Sequence, residues 1–250
     1  MTEQILTKFK NAFRSTKIKS SRGIGIECEI PVVTKKGEVV SLSIIQDMFV
    51  YLGDYDFKIE WDDYSGLMLA AKRKNAKSFK NFEYHTDIIT TDVGYSTIEI
   101  VLAPQDNLYT LQSHFLELLF LLMPYFESQD CLMLGYGIQP HTTPSKKVLM
   151  PKERYSFLEK LSTSHIIPQL EGGDTSFLTI TASNQCHIEI NLEESIPATN
   201  VLNSLSGLQI AFQANSPIWQ GKVDDTYKAN REMLWAVSYT HLTLPTTPYV

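Results

Sequence analysis

Cysteine is scarce in this chain. Its 250 residues hold three, Cys28, Cys131 and Cys186, with no CxxC pair and no even framework. That excludes a disulfide-built scaffold and fits a reducing compartment. Positive charge is also short: 22 Lys and Arg against 28 Asp and Glu leave a formal net charge of -6, the wrong balance for neutralising nucleic-acid phosphates. Long apolar runs are missing. Phe115 to Met123, the longest, carries Glu117 and is too short to span a bilayer. The opening MTEQILTKFKNAFRSTKIK is charged throughout, so it is no secretory leader and the expected setting is the cytoplasm. There is no Walker-type loop and no dinucleotide fingerprint, because Gly135-Tyr136-Gly137 lacks the remaining glycines.

What remains is an ordinary globular composition, 43% hydrophobic and 20% charged, long enough to bury a substantial core. A basic run at Lys72, Arg73, Lys74, Lys77 and Lys80 reads as a solvated loop with counter-charges nearby. Residues 1–20 read as an amphipathic helix through Ile5, Phe9, Ala12 and Phe13. Ile24 to Val33 reads as a strand, and Lys35-Lys36-Gly37 as a turn returning in a hairpin through Val39 to Leu42. Further strands are expected at Phe57 to Trp61, Leu67 to Ala71, Thr86 to Thr90, Thr97 to Leu102 and Cys131 to Gln139.

A long helix is expected from Leu108 to Glu127, burying Leu108, Leu111, Phe115, Leu118, Leu119 and Leu122, with Pro124 ending or kinking it. Lys152 to Leu161 and Ser195 to Gln213 read as helices, the latter with Pro197 in its first turn. Phe177 to Leu192 holds two apolar runs, the second more strand-like. Strands and helices mix without strict alternation, which predicts an α+β domain. The stretch from Ser238 to Val250 is uncharged, rich in Thr and Pro and without period. It reads as a foreign, disordered tail (238–250) on a domain of residues 1–237.

Three strands carry acids where alternation matters. In Gly25-Ile26-Glu27-Cys28-Glu29-Ile30, Glu27 and Glu29 share one face, ~6.5–7 Å apart, with Ile26, Cys28 and Ile30 behind. Such a pair is either a solvated face or a site for a hard cation such as magnesium, which takes one or two carboxylates and leaves the rest to water and phosphates. Glu99, a lone acid amid Ile98, Ile100 and Val101, implies a partner: a salt bridge or a metal. In Gln185-Cys186-His187-Ile188-Glu189-Ile190-Asn191, alternation sets Gln185, His187, Glu189 and Asn191 on one face and turns Cys186 to the core. His187 with Glu189 completes a cation site, or His187 contacts a nucleotide phosphate; spacing does not choose. Together these strands describe a sheet cradling divalent cations. Lys152, Arg154 and Arg231 are either solvated surface groups or clamps for carboxylate and phosphate, and on a helix Arg231 and Trp235 share a face.

The ordered segments GIECEIP (25–31), STIEIVLAP (96–104), LGYGIQP (134–140), MPKERY (150–155), QCHIEINLE (185–193) and ANSPIWQG (214–221), followed by Arg231-xxx-Trp235, resemble glutamate–cysteine ligase family 2 and its carboxylate–amine ligase relatives. The resemblance implies a fold like the catalytic domain of glutamine synthetase, a mostly antiparallel sheet forming an open funnel backed by helices. It implies ATP, magnesium and an acyl-phosphate on the glutamate side chain that the amine of cysteine attacks, the first step of glutathione-type thiol synthesis. By the same resemblance Glu27, Glu29, Glu99 and Glu189 hold magnesium, and Gln185, His187 and Lys152 line the nucleotide. Arg154 and Arg231 clamp substrate carboxylate or phosphate, and Trp235 walls the amino-acid pocket. The partners implied are small molecules, with neither nucleic acid nor membrane. Family members continue past the equivalent of Val237, so weak or no turnover is expected of this chain. The competing readings are a ligase for another amine, a catalytically dead nucleotide-binding fragment and, more distantly, a metal-dependent hydrolase using His187 and Glu189.

Overall fold

The structure, a computed structural model, describes residues 2–12, 22–75, 85–155 and 175–239. Helix α1 (Thr2–Ala12) leads into β1 (Ile24–Thr34), α2 (Leu42–Gly53), β2 (Lys58–Trp61), β3 (Met68–Lys74), β4 (Thr86–Thr91) and β5 (Thr97–Gln105). Then come α3 (Leu108–Ser128), β6 (Cys131–Met133), β7 (Asn184–Ile188), α4 (Ser195–Gln213), the short hairpin β8 (Ile218–Trp219) and β9 (Lys222–Val223), and α5 (Asn230–Tyr239). Mixed helix and antiparallel sheet is the α+β arrangement expected.

Among the described residues seven strands form one sheet in the order β2-β3-β4-β5-β1-β6, with β7 also on β1. Every pairing is antiparallel, and β1 is the hub. One of its edges carries β5; along the other, β7 pairs with Ile24 to Cys28 and β6 with Val32 to Thr34. Because side chains alternate along a strand, one face of the sheet collects Cys28, Ile30, Val32, Ala71, Ile89, Ile98 and Ile100, all in the core cluster. Helices α2 and α3 cover that face with Ile45, Met48, Phe49 and Leu52 and with Leu111, Leu118, Leu122 and Phe126. The polar face is left for the site.

Helix α2 replaces the expected hairpin. Gly37 turns the chain at φ 79, but Val39 makes only a single bridge to Val33 before the Ser41 hydroxyl caps Ile44 N–H at 3.5 Å. Ile45, Met48, Phe49 and Leu52 repeat at helical spacing and lie 0% exposed, so burial favours a helix over a returning strand. Pro124 does not end α3. The helix runs on to Ser128, held by buried Phe126 and by the Tyr125 hydroxyl donating to Ile44 O at 2.6 Å. Leu108, expected inside, is 64% exposed because it opens the helix before the helix reaches the sheet.

Beyond Met133 the expected strand dissolves, with Ile138 making one bridge to Thr181. Phe177 lies in a 3-10 turn, Thr175–Thr179. Cys186, expected to face the core, is exposed, as is every residue of β7. This strand extends the sheet at its edge, where none of its five residues is covered. Lys72, Arg73 and Lys74 lie on β3 instead of in a loop, and Lys72 meets Glu60 at 2.8 Å while Arg73 meets Glu117 at 2.8 Å. Phe13, Lys77, Lys80, residues 156–161 and residues 240–250 fall outside the described residues; Ser238 and Tyr239 complete α5. Among the described residues no helix is long and apolar enough to cross a membrane.

Helix α2 seals the β2–β3 end of the core. Replacing Phe49, 0% exposed, with Ala is expected to cost about 3–5 kcal/mol, measured as a lowered urea midpoint at unchanged m-value. A loss under about 1 kcal/mol, the range of solvent-facing positions, counts against this packing.

Candidate active site on the polar face of the sheet

Register brings the acids together. Glu29 stands directly opposite Glu99 across β1 and β5, and Thr90 stands opposite Glu99 on its other side. Glu27, one pleat along, faces Val101 on β5 and Gln185 on β7. His187 faces Gly25, and its Nε2 lies 3.3 Å from Glu27 Oε1. Glu29 is oriented from β7's approach: its Oε2 accepts from Ser183 N–H at 2.6 Å and from the Ser183 hydroxyl at 3.2 Å, and its Oε1 accepts from Gln185 Nε2 at 3.3 Å.

Cations enter from a distant segment. Met150 N–H bonds to Val93 O at 2.8 Å, docking MPKERY beside the β4–β5 turn. Lys152, only 6% exposed, then donates from Nζ to Thr91 O at 2.5 Å and Thr90 Oγ1 at 3.3 Å. Arg154 donates to the Tyr155 hydroxyl at 2.6 Å, and its Cζ lies 4.7 Å from that ring's centre. Arg231 approaches from α5. Its N–H bonds to Ser216 Oγ at 3.2 Å, while fully buried Asn230 donates to Ser216 O at 3.0 Å, so ANSPIWQG positions the start of α5. As the helical spacing predicts, Arg231 and Trp235 share a face, 5.3 Å from Cζ to ring, and Trp235 packs edge-on against Phe177 at 5.7 Å.

Two members escaped the sequence reading. Asp92, in the β4–β5 turn, faces Lys152, Arg154 and Arg231 electrostatically and accepts from Val93 N–H. Ser183 precedes β7 and bonds Glu29. Each becomes legible only once the strands are paired. Glu189 is not gathered with Glu29 and Glu99: its Oε2 accepts from Gly23 N–H at 2.9 Å, beyond the last β7 pair, and it fastens the beginning of β1.

The site is short of water and crowded with like charge. Burial, then Asp92 and Glu99, push the Glu29 carboxyl up to about 7, against the pull of the Ser183 bonds. Burial, then Asp92 and Glu27, push Glu99 to about 7, with Lys152 and Arg154 opposing. Burial also raises Asp92 and, with Arg154, lowers Lys152 to about 8 against the pull of Glu99, Asp92 and Asp62. Among the described residues no three His, Cys, Asp or Glu are grouped so as to hold a metal ion, which leaves the facing pair Glu29 and Glu99. A few carboxylates in a half-buried anionic patch are the donor set for magnesium arriving with phosphate oxygens and water, so the residues present fit that ion. Glu29 and Arg231 also border a cavity of about 1230 Å³ whose other lining, Cys28, Ile30, Phe115 and Leu119 among it, belongs to the opposite, α3-covered face of the sheet, with Ile210 of α4.

A model of glutamate–cysteine ligase family 2 matches residues 23–247, a span that takes in all of these groups. A comparison with curated proteins found no match.

Folded Glu29 and Glu99 hold protons more tightly than their ordinary value of 4.5. Between 4.5 and about 7 the folded state therefore binds more protons than the unfolded one, and stability falls as pH rises through that window. Glu99→Gln is expected to flatten this fall and to stabilise the protein at pH 8 by on the order of 1–2 kcal/mol, after discounting for solvent screening. Urea denaturation at pH 5 and pH 8 measures it; an undiminished pH dependence in the variant shows that Glu99 bears no such penalty.

Proposed function

Since this chain belongs to glutamate–cysteine ligase family 2, and so to a family of ligases, we propose that it uses ATP and magnesium to activate the γ-carboxylate of glutamate as an acyl-phosphate and joins it to an amine, with cysteine as the acceptor. The supporting observation is the direct opposition of Glu29 and Glu99 across β1 and β5, flanked on one side by Lys152, Arg154 and Arg231.

Glu29 and Glu99 would hold magnesium, with Glu27 one pleat along, and the ion's charge, when bound, would let an anionic carboxylate approach a triphosphate. Glu189, tied to Gly23, is outside that set. Ser183 and Gln185 fix the Glu29 carboxylate by hydrogen bonds, so its lone pairs are oriented before any ligand arrives. Gln185 and His187 line the nucleotide side, beside Glu27. Arg154 and Arg231 offer planar donors to the carboxylates of glutamate, and Trp235, braced by Phe177, walls the amino-acid pocket. Lys152, buried and bound to the β4 backbone, balances Asp92 and Glu99 and so keeps the acid cluster tolerable with the site empty. Holding the reactants together and neutralising charge are the two contributions this surface is built to make. A cytoplasmic setting follows, where ATP and free thiols coexist.

Phosphate release is expected to require ATP, magnesium, glutamate and an amine together, and to stop with EDTA. Glu99→Gln should lower it by about 10²–10³-fold without lowering stability at pH 8, whereas Arg154→Ala should chiefly raise the KM for glutamate. Release that ignores glutamate, or a Glu99→Gln enzyme as active as the parent, overturns the assignment.

A further inference from the structure

The outer edge of β7 and the exposed face of α4 are surfaces that the ligase chemistry leaves unused. In β7 the bonds to β1 run through alternate residues. Ser183 O accepts from Glu29 N–H and Gly23 O accepts from Glu189 N–H, both at 2.9 Å, and between them Gln185 stands opposite Glu27 and His187 opposite Gly25. Bonded pairs fall on every second residue of an antiparallel ladder. Asn184, Cys186 and Ile188 therefore turn their N–H and C=O groups away from β1. Among the described residues only β1 pairs with β7, and all five residues of β7 are exposed. The strand has no Pro, Lys or bulge, the usual means of keeping a bare edge from pairing with another chain.

Helix α4 lies next to that edge. Arg22 donates to Glu189 O at 2.9 Å and to Glu194 at 2.6 Å, which fixes the start of α4 beside the end of β7, and Asn184 and Gln209 border the same cavity. None of the 19 residues of α4 is buried. Ala198, Val201, Leu205, Leu208 and Phe212 recur at alternating steps of three and four, the period of a helix–helix seam. Val201 is 56% exposed, Leu205 41%, Leu208 53% and Phe212 82%, and of these only Phe212 borders the cavity. The helix contains no Asp, Glu, Lys or Arg.

We propose that the two surfaces form one interface, closed by a second copy of this chain about a two-fold axis through Cys186. Antiparallel pairing of β7 with itself satisfies both edges at once and leaves none over. In that register Cys186 meets the partner's Cys186, Asn184 the partner's Ile188 and Gln185 the partner's His187. Glu189 falls opposite the partner's Ser183, so no like charges oppose. The seam of α4 is likewise free of self-repulsion, although the chain carries a formal net charge of -6; a charged partner of another kind finds nothing on it to steer by. With Leu202, the seam exposes on the order of 500 Å², the upper end of what a monomer leaves bare. Adding the β7 edge brings the face towards the ~800 Å² that each partner gives to a standard interface. Two heptads are too short to hold a helix pair alone, so edge and seam act together.

Sedimentation of the full chain over a concentration series is expected to show a species of twice 28.4 kDa. A short bismaleimide is expected to link that species through Cys186, because Cys28 and Cys131 are buried. The link is lost in Cys186→Ser while the dimer remains. Cys186→Pro removes the central outward N–H and spares the bonds to β1, and Leu205→Glu with Leu208→Glu sets like charges across the seam. Each is expected to weaken dimerisation by about 30-fold or more, the loss typical of a central interface residue, with an unchanged circular dichroism spectrum. A monomer at every concentration overturns the proposal. So does a dimer that the bismaleimide fails to link at Cys186, or growth beyond two copies, the mark of an open contact. Mass and cross-link are read on the unaltered protein, so a misfolded variant does not block the answer, and neither depends on the ligase assignment.

Discussion

Two carboxylates facing one another across adjacent strands are the constraint around which this protein is arranged. Glu29 and Glu99 share a buried stretch of sheet with Asp92 close by, and a low-dielectric neighbourhood makes like charges costly. Everything within reach answers that cost in part. Ser183 donates twice to Glu29, Lys152 is threaded in against β4, and Arg154 and Arg231 add positive potential around Asp92. The compensation is incomplete, as the raised carboxyls show. Burial and mutual repulsion thus leave the carboxyls of Glu29 and Glu99 raised at a cost to the fold.

The other face of the sheet bears that load. Helices α2 and α3 press fully buried Ile45, Met48, Phe49, Leu118, Leu122 and Phe126 onto the strands, so the backbones that carry the acids are fixed from behind. Site geometry is thus set by packing in a layer that takes no part in the chemistry. The loops add the second half of the site through hydrogen bonds, Met150 to Val93, Ser216 to Arg231 and Asn230, and Ile218 N–H to the Tyr136 hydroxyl at 2.7 Å. Buried Ile138, Val148, Met150, Tyr155 and Ile180 hold them from beneath, apart from the main core.

The β7 side has a different character. Its strand is exposed on both faces and α4 carries Val201, Leu202, Leu205 and Leu208 in solvent, with a large cavity between that helix and α3.

Alternation in β1, β5 and β7 was enough to say which side chains share a face, because a strand's period is local and leaves few choices. Helix α3 was readable for the same reason, through the 3.6-residue period of Leu111, Phe115, Leu118 and Leu122. Helix α2 went unread because a turn signal at Gly37 outweighed the helical spacing of Ile45, Met48, Phe49 and Leu52 that followed. Facing, however, is not meeting. That Glu29 lies opposite Glu99, that Lys152 reaches back to Thr91, that Asp92 joins them, and that Cys186 and Glu189 sit at an edge instead of in the centre all depend on strand register and loop docking between residues tens of positions apart. Those pairings are decided by the collective burial of the whole sheet against α2 and α3, a property no single segment carries.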